Sequence, residues 1–210
     1  MSKKILVTAG PTIEPLDPIR YLSNHSTGTM GYEIAKECVK RGHEVCLISG
    51  PVQLSLPAGV DIIDVETARE MKVRVMEQLD GADCLIMASA VCDYRPDREE
   101  AQKIKKGGSL NLKLVRNPDI LSEASGKEGL IKVGFALETE NPVQNAMDKL
   151  KAKDLDMIIV NTKSGVEDPF GQGKKRFVLI NAAGAVKEFA DIDKGRMASH
   201  IIDEVENLLK

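Results

Sequence analysis

Tryptophan is absent from this chain, and aromatic residues make up only 3% of it. That leaves too few rings to build a stacking platform for single-stranded nucleic acid. An excess of positive charge is also missing: 29 Lys and Arg face 32 Asp and Glu, for a net charge of −3. The chain therefore lacks the basic field that draws proteins onto nucleic acid. No apolar run approaches the roughly 20 residues that span a bilayer. The amino terminus, Met1-Ser2-Lys3-Lys4, leads straight into an apolar strand pattern without a signal-peptide core. These absences predict a cytoplasmic protein with neither nucleic acid nor membrane as partner.

Cysteine is scarce as well. Cys38, Cys46, Cys84 and Cys92 include no Cys-x-x-Cys pair and fall in apolar or helical patterns, so buried reduced thiols are expected. The histidines, His25, His43 and His200, are scattered without metal-ligand spacing. His43 follows Gly42 in a helix-to-strand turn and reads as structural. There is no Walker A sequence and no complete dinucleotide fingerprint, and no Ser-His-Asp or Cys-His arrangement is signalled.

What is present is 210 residues, 42% hydrophobic and 29% charged, enough for one soluble globular domain over 1–210. Short apolar runs at 4–8, 44–49, 61–65, 84–88, 131–135 and 157–160 read as strands. They alternate with helical patterns at 30–41, 68–79, 119–124, 142–153 and 197–209. Thr67 with Glu70 three residues later reads as a capping box. Alternation of this kind predicts an α/β fold: a Rossmann-like, mostly parallel sheet with helices on both faces. Segments 176–181 and 185–189 around Ala182-Ala183-Gly184 add a small C-terminal antiparallel hairpin or flap. The polar stretches 93–108 and 162–175 are too long to be simple connectors.

Ligands of such sheets bind outside the carboxyl ends of the strands. There the sequence places Ser23-Asn24-His25-Ser26-Thr27-Gly28-Thr29-Met30-Gly31, a small-residue stretch leading into a helix. The first N–H groups of a helix lack internal partners and lie at the positive end of its dipole. Small residues let an anion reach them, so Ser23 to Gly28 form a candidate phosphate and substrate loop. A capped helix after a long turn would give the same pattern. Cations then cluster between Arg98 and Arg116, Lys103 among them, as in a polyphosphate site or merely a solvated loop. Asn117 and Pro118 suit a helix cap and first position. Lys149 and Lys153, four apart, share one helix face.

Together, Thr8–Thr12, Glu14–Arg20, Ser23–Gly31, Ala90–Pro96, Lys103–Lys106, Asn117–Leu121 and Gly134–Glu140 resemble phosphopantothenoylcysteine synthetase, in order and spacing, over nearly the whole chain. The resemblance implies a ligase of coenzyme A biosynthesis that joins 4′-phosphopantothenate to L-cysteine through an acyl-nucleotide. It implies CTP as co-substrate with Mg²⁺, no flavin, and a homodimer. The hairpin at Gly184 and the loop after Asn161 are the candidate dimer surfaces. It also implies a stand-alone synthetase half, since the chain opens at that half's first strand, and therefore a possible separate decarboxylase. Asn24 matches the asparagine that acts around the acyl intermediate, and Lys103 a position that stabilises phosphate charge. Met87, Ala88, Ser89, Asp93, Pro118, Asp119, Ile120, Leu121, Phe135, Lys149 and Lys153 match nucleotide-contact positions. The chain departs from the family after Phe170, where Gly171-Gln172-Gly173-Lys174-Lys175-Arg176 replaces small and acidic or amide residues. Two other readings of the Rossmann-like pattern remain: an NAD(P)-dependent oxidoreductase, and a non-catalytic nucleotide-binding subunit of a decarboxylase complex.

Overall fold

A computed structural model describes residues 1–138, 141–162 and 173–210. Two segments named above fall partly outside the described residues: the end of Gly134–Glu140, and positions 163–172 of the flap loop. Six strands run parallel: β1 (Lys4–Ala9), β4 (Glu44–Ser49), β5 (Asp61–Asp64), β6 (Cys84–Met87), β9 (Ile131–Glu138) and β10 (Met157–Thr162). Counted in chain order, these six read 3-2-1-4-5-6 across the sheet, the doubly wound order. The order reverses between β1 and β6, so a crevice opens above their carboxyl ends. The expected C-terminal hairpin, β11 (Lys175–Asn181) and β12 (Val186–Ile192), is present and extends the main sheet antiparallel from β10. Lys174 precedes it, and buried Lys175 and exposed Arg176 begin it.

Burial on both faces explains the apolar strands. Ile5, Val7, Cys84 and Ile86 join one core with Ile34, Ala35, Met197 and Ile201 from α1 (Thr29–Lys40) and α5 (Lys194–Leu208). Leu6, Ile48, Leu85 and Ile158 join the other. Their partners there are Met71, Val75, Ile120 and Leu150 from α2 (Ala68–Gln78), α3 (Ile120–Ala124) and α4 (Pro142–Ala152). The Thr67–Glu70 capping box forms, with Glu70 N–H donating to Thr67 Oγ1 at 3.2 Å. All four cysteines are buried free thiols. His43 is structural: Nδ1 accepts from Lys3 N–H, and Nε2 lies 3.1 Å from Glu206.

Two small antiparallel ribbons escaped the sequence pattern: β2 (Ile13–Asp17) with β3 (Arg20–Ser23), and β7 (Tyr94–Pro96) with β8 (Leu114–Arg116). The first strand therefore does not feed the small-residue loop directly; a hairpin intervenes, and Ser23 ends it. Buried carboxylates anchor this hairpin. Glu14 accepts the Ala68 N–H at 3.0 Å. Asp17 accepts the Ile19, Arg20 and Ile104 N–H groups as well as the Arg20 guanidinium. The Arg20 hydrogen bond, more than any other contact, holds the Asp17 carboxyl well below the usual carboxylate range. No described helix is long and apolar enough to cross a membrane.

Candidate functional site

The crevice between β1 and β6 is lined first by the start of α1. Gly28, the cap position, has φ +77, a left-handed conformation that suits glycine. At Gly31 a Cβ would stand 2.5 Å from Ala9 Cβ and 2.9 Å from the Thr8 carbonyl oxygen. Only glycine lets the first turn of α1 press onto the end of β1. No side chain caps this helix, so its first N–H groups keep the exposed polarity that binds anions.

The opposite wall follows β6. Ser89 Oγ lies 2.8 Å from Thr8 Oγ1, and Ala90 N–H donates to the Gly10 carbonyl at 2.8 Å. Asn24 Nδ2 donates to the Ala90 carbonyl at 2.8 Å and approaches Cys92 Sγ at 3.7 Å. Burial pushes the Cys92 thiol above its ordinary pKa. Farther along, Asn117 Nδ2 donates to the Cys92 carbonyl at 2.9 Å, and its Oδ1 accepts from Arg95. Asn117 thus ties the two loops together rather than capping the helix. Asp119 is the cap of α3, accepting the Ser122 N–H, and Pro118 lies outside the helix.

On α4, Lys149 Nζ donates to the Phe135 carbonyl at 2.8 Å, and Lys153 pairs with Asp119 at 2.9 Å. Burial alone would raise the Asp119 carboxyl, but the hydrogen bonds from Lys153 and Ser122 outweigh it, and its pKa is lowered.

These walls enclose a cleft of two lobes. The first, about 420 Å³, is lined by Met87, Ser89, Asp93, Pro118, Asp119, Ile120, Leu121, Phe135, Lys149 and Lys153 among others. The second, about 350 Å³, is lined by Asn24, Ser26, Thr27, Gly28 and Ala88, among others. Ser89, Val91, Asp93, Phe135 and Lys149 line both, so the lobes are continuous. Three expected residues do not line either lobe. Ser23 Oγ is turned to the Thr12 carbonyl at 2.8 Å, and His25 is exposed. Lys103 is also exposed, beside Ile104, whose N–H and C=O are held by Asp17 and Arg20. Conversely, Phe177 on β11 and Lys194 on α5 line the second lobe although no local pattern marks them.

Residues 1–209 match the family described as DNA/pantothenate metabolism flavoprotein C-terminal domain. The chain belongs to this family. The flavoprotein C-terminal domain is thus the group to which the motif resemblance to phosphopantothenoylcysteine synthetase pointed. A coenzyme A biosynthesis bifunctional protein CoaBC of Vibrio parahaemolyticus is 44% identical over 212 residues, covering 99% of this chain and 53% of that protein. A protein of an unknown prokaryotic organism, named cysteine/cysteine sulfinic acid decarboxylase, is 39% identical over 99% of this chain and 59% of its own length. The chain therefore spans about half the length of the curated relatives it matches. Among solved structures, the C-terminal domain of a CoaBC protein superposes with a TM-score of 0.85 at 35% identity, covering 99% of this chain and 95% of that one. A Cab2 variant in complex with phosphopantothenate-cysteine shares the fold, with a TM-score of 0.76 at 17% identity over 99% of this chain and 86% of that one.

Proposed function

We propose that this flavoprotein C-terminal domain is a phosphopantothenate–cysteine ligase that activates its acid with CTP. The continuity of the two lobes carries the reading. A nucleotide lying in the first lobe presents its phosphates to a neighbouring space walled by helix amides, where an acid can lie in line with them. The 4′-phosphopantothenate carboxylate attacks the α-phosphorus of CTP. The bond to the bridging oxygen breaks, pyrophosphate leaves, and an acyl-cytidylate forms. The cysteine amine then attacks the acyl carbon, and CMP leaves with the electron pair. Neither step calls for a strong base on the acid; both call for charge neutralisation and placement.

Asn24 suits the second step. Its Nδ2 is held by the Ala90 carbonyl, and its Oδ1, without a partner among the described residues, accepts a hydrogen bond from the attacking amine. Lys149 and Lys153 serve the nucleotide lobe. Mg²⁺ enters with the nucleotide. No cluster of three metal-binding side chains exists among the described residues, whereas Asp93 lines both lobes. That combination fits a magnesium ion held mainly by phosphates and water, with one carboxylate nearby.

The ligase works as a homodimer through its two ribbons. Ile19, Tyr21, Tyr94 and Leu114 are 60%, 58%, 46% and 42% exposed there, whereas near Gly184 Val186 is the one large exposed apolar side chain among the described residues. Tyr94 and Leu114 share a face, because Tyr94 pairs with Arg116 and Pro96 with Leu114.

The test is pyrophosphate release by the isolated chain with CTP or ATP, with and without cysteine. Release that requires phosphopantothenate and is faster with CTP is expected. Saturable NADPH binding with no release overturns the reading. One alternative is a non-catalytic nucleotide-binding half that works only beside a decarboxylase. Turnover by the chain alone excludes it.

A further inference from the structure

Lys194 opens α5 and lines the second lobe together with Gly28 and Thr29 of the α1 start. Asp93, Lys149 and Lys194 are the charged side chains among the described residues of that lobe. Lys149 stands on the wall shared with the first lobe. Lys194 lines the second lobe alone, so it supplies the positive charge at the end where α1 begins.

A cation in a first turn opposes the helix dipole, and the first turn of α5 holds Lys194 and Arg196 with no acid. Arg196 is accounted for locally: Asp193, the cap, accepts its N–H at 2.9 Å and meets its Nε at 3.6 Å. Lys194 is the residue of that turn that reaches the cleft. A lysine that lines a cavity beside a helix start is placed to meet an anion there.

The two helix starts are also held in fixed relation. At the far end of α1, Arg41 donates to Asp203 at 2.7 Å, to Glu206 at 3.0 Å and to the Ser199 carbonyl at 3.0 Å. With α1 pressed onto β1 at Gly31 and α5 tied to α1, Lys194 has a fixed base from which to reach the lobe.

We propose that Lys194 binds the β- and γ-phosphates of the nucleoside triphosphate and then the departing pyrophosphate. The proposal rests on the ligase reading above. As the bond between the α-phosphorus and its bridging oxygen breaks, the electron pair moves onto pyrophosphate. Negative charge grows at the end of the cleft that Lys194 and the α1 amides line. Preorganised donors placed where charge develops lower the barrier most.

Calorimetric titration of wild type and Lys194→Gln with CMP, CDP and CTP in magnesium buffer tests this. Wild-type affinity rises along the series. Lys194→Gln keeps its CMP affinity and loses roughly tenfold to a hundredfold for CTP, the scale of one charged hydrogen bond. Lys194→Arg restores most of the loss. Thermal melts of Lys194→Gln, run beside the titrations, separate a loss of fold from a loss of phosphate contact. Equal CTP affinity in wild type and Lys194→Gln overturns the proposal and leaves the ligase reading standing. So does a loss confined to phosphopantothenate, which would assign the lysine to the acid's phosphate. A wild type that binds none of the three nucleotides removes the ligase reading itself.

Discussion

Asn24 has its amide nitrogen committed to the Ala90 carbonyl, so the orientation of the whole side chain is fixed before substrate arrives. Asn24→Asp places a carboxylate beside a backbone carbonyl and an acyl phosphate. The expected outcome is a chain that still releases pyrophosphate but forms little ligated product, read by paired pyrophosphate and product assays. Equal loss of both signals refutes a role confined to the cysteine step. Lys103 poses the reverse question, since it is exposed and does not line the cleft. A phosphate-binding role predicts that Lys103→Gln lowers single-turnover pyrophosphate release by about 10²-fold; unchanged release confines it to the surface. Asp17 has a depressed pKa, so its contribution is complete above the unfolded carboxylate value near 3.9 and is lost as pH falls from there through the native value. Urea melts of wild type and Asp17→Asn should differ by a constant amount from pH 7 to about pH 5. The gap should then close in stronger acid.

The element that fixes the geometry of the cleft is the first turn of α1. Gly31→Ala would drive a methyl into Ala9 and the Thr8 carbonyl, and overpacking of this kind costs roughly 1–3 kcal/mol. A urea melt should show that loss, and nucleotide affinity should fall with it, because the helix amides retreat from the lobe. Strand β1 was legible as a continuous apolar run, the mark of burial on both faces, and helix α1 by an apolar period near 3.6. The ribbons β2–β3 and β7–β8 were not. Ile13-Glu14-Pro15-Leu16-Asp17 reads as a turn by composition, and what holds it is a pair of buried carboxylates whose partners lie up to 87 positions away. The cleft divides in the same way. Ser89, Asp93 and Phe135 lie at or just beyond strand ends that the alternation already located, whereas Asn24 follows β3, which it did not. Lys194 and Phe177 reach the same space only because the sheet turns back on itself at β11.

At the scale of the whole molecule, the exposed apolar ribbons set the expected association. Tyr21→Glu combined with Leu114→Glu should convert a dimer to a monomer in sedimentation, with little change in the melting of the sheet. A monomeric wild type would remove the homodimer from the proposed function. The cleft also gathers its walls from nearly the full span of the chain, from Asn24 in the first loop to Lys194 at the head of the last helix. A ribosome that has delivered the first parallel strands has therefore made no binding place at all. If the proposed nucleotide binds there, it can act as a folding ligand only once the α5 segment has been made, and it offers nothing to a domain still emerging.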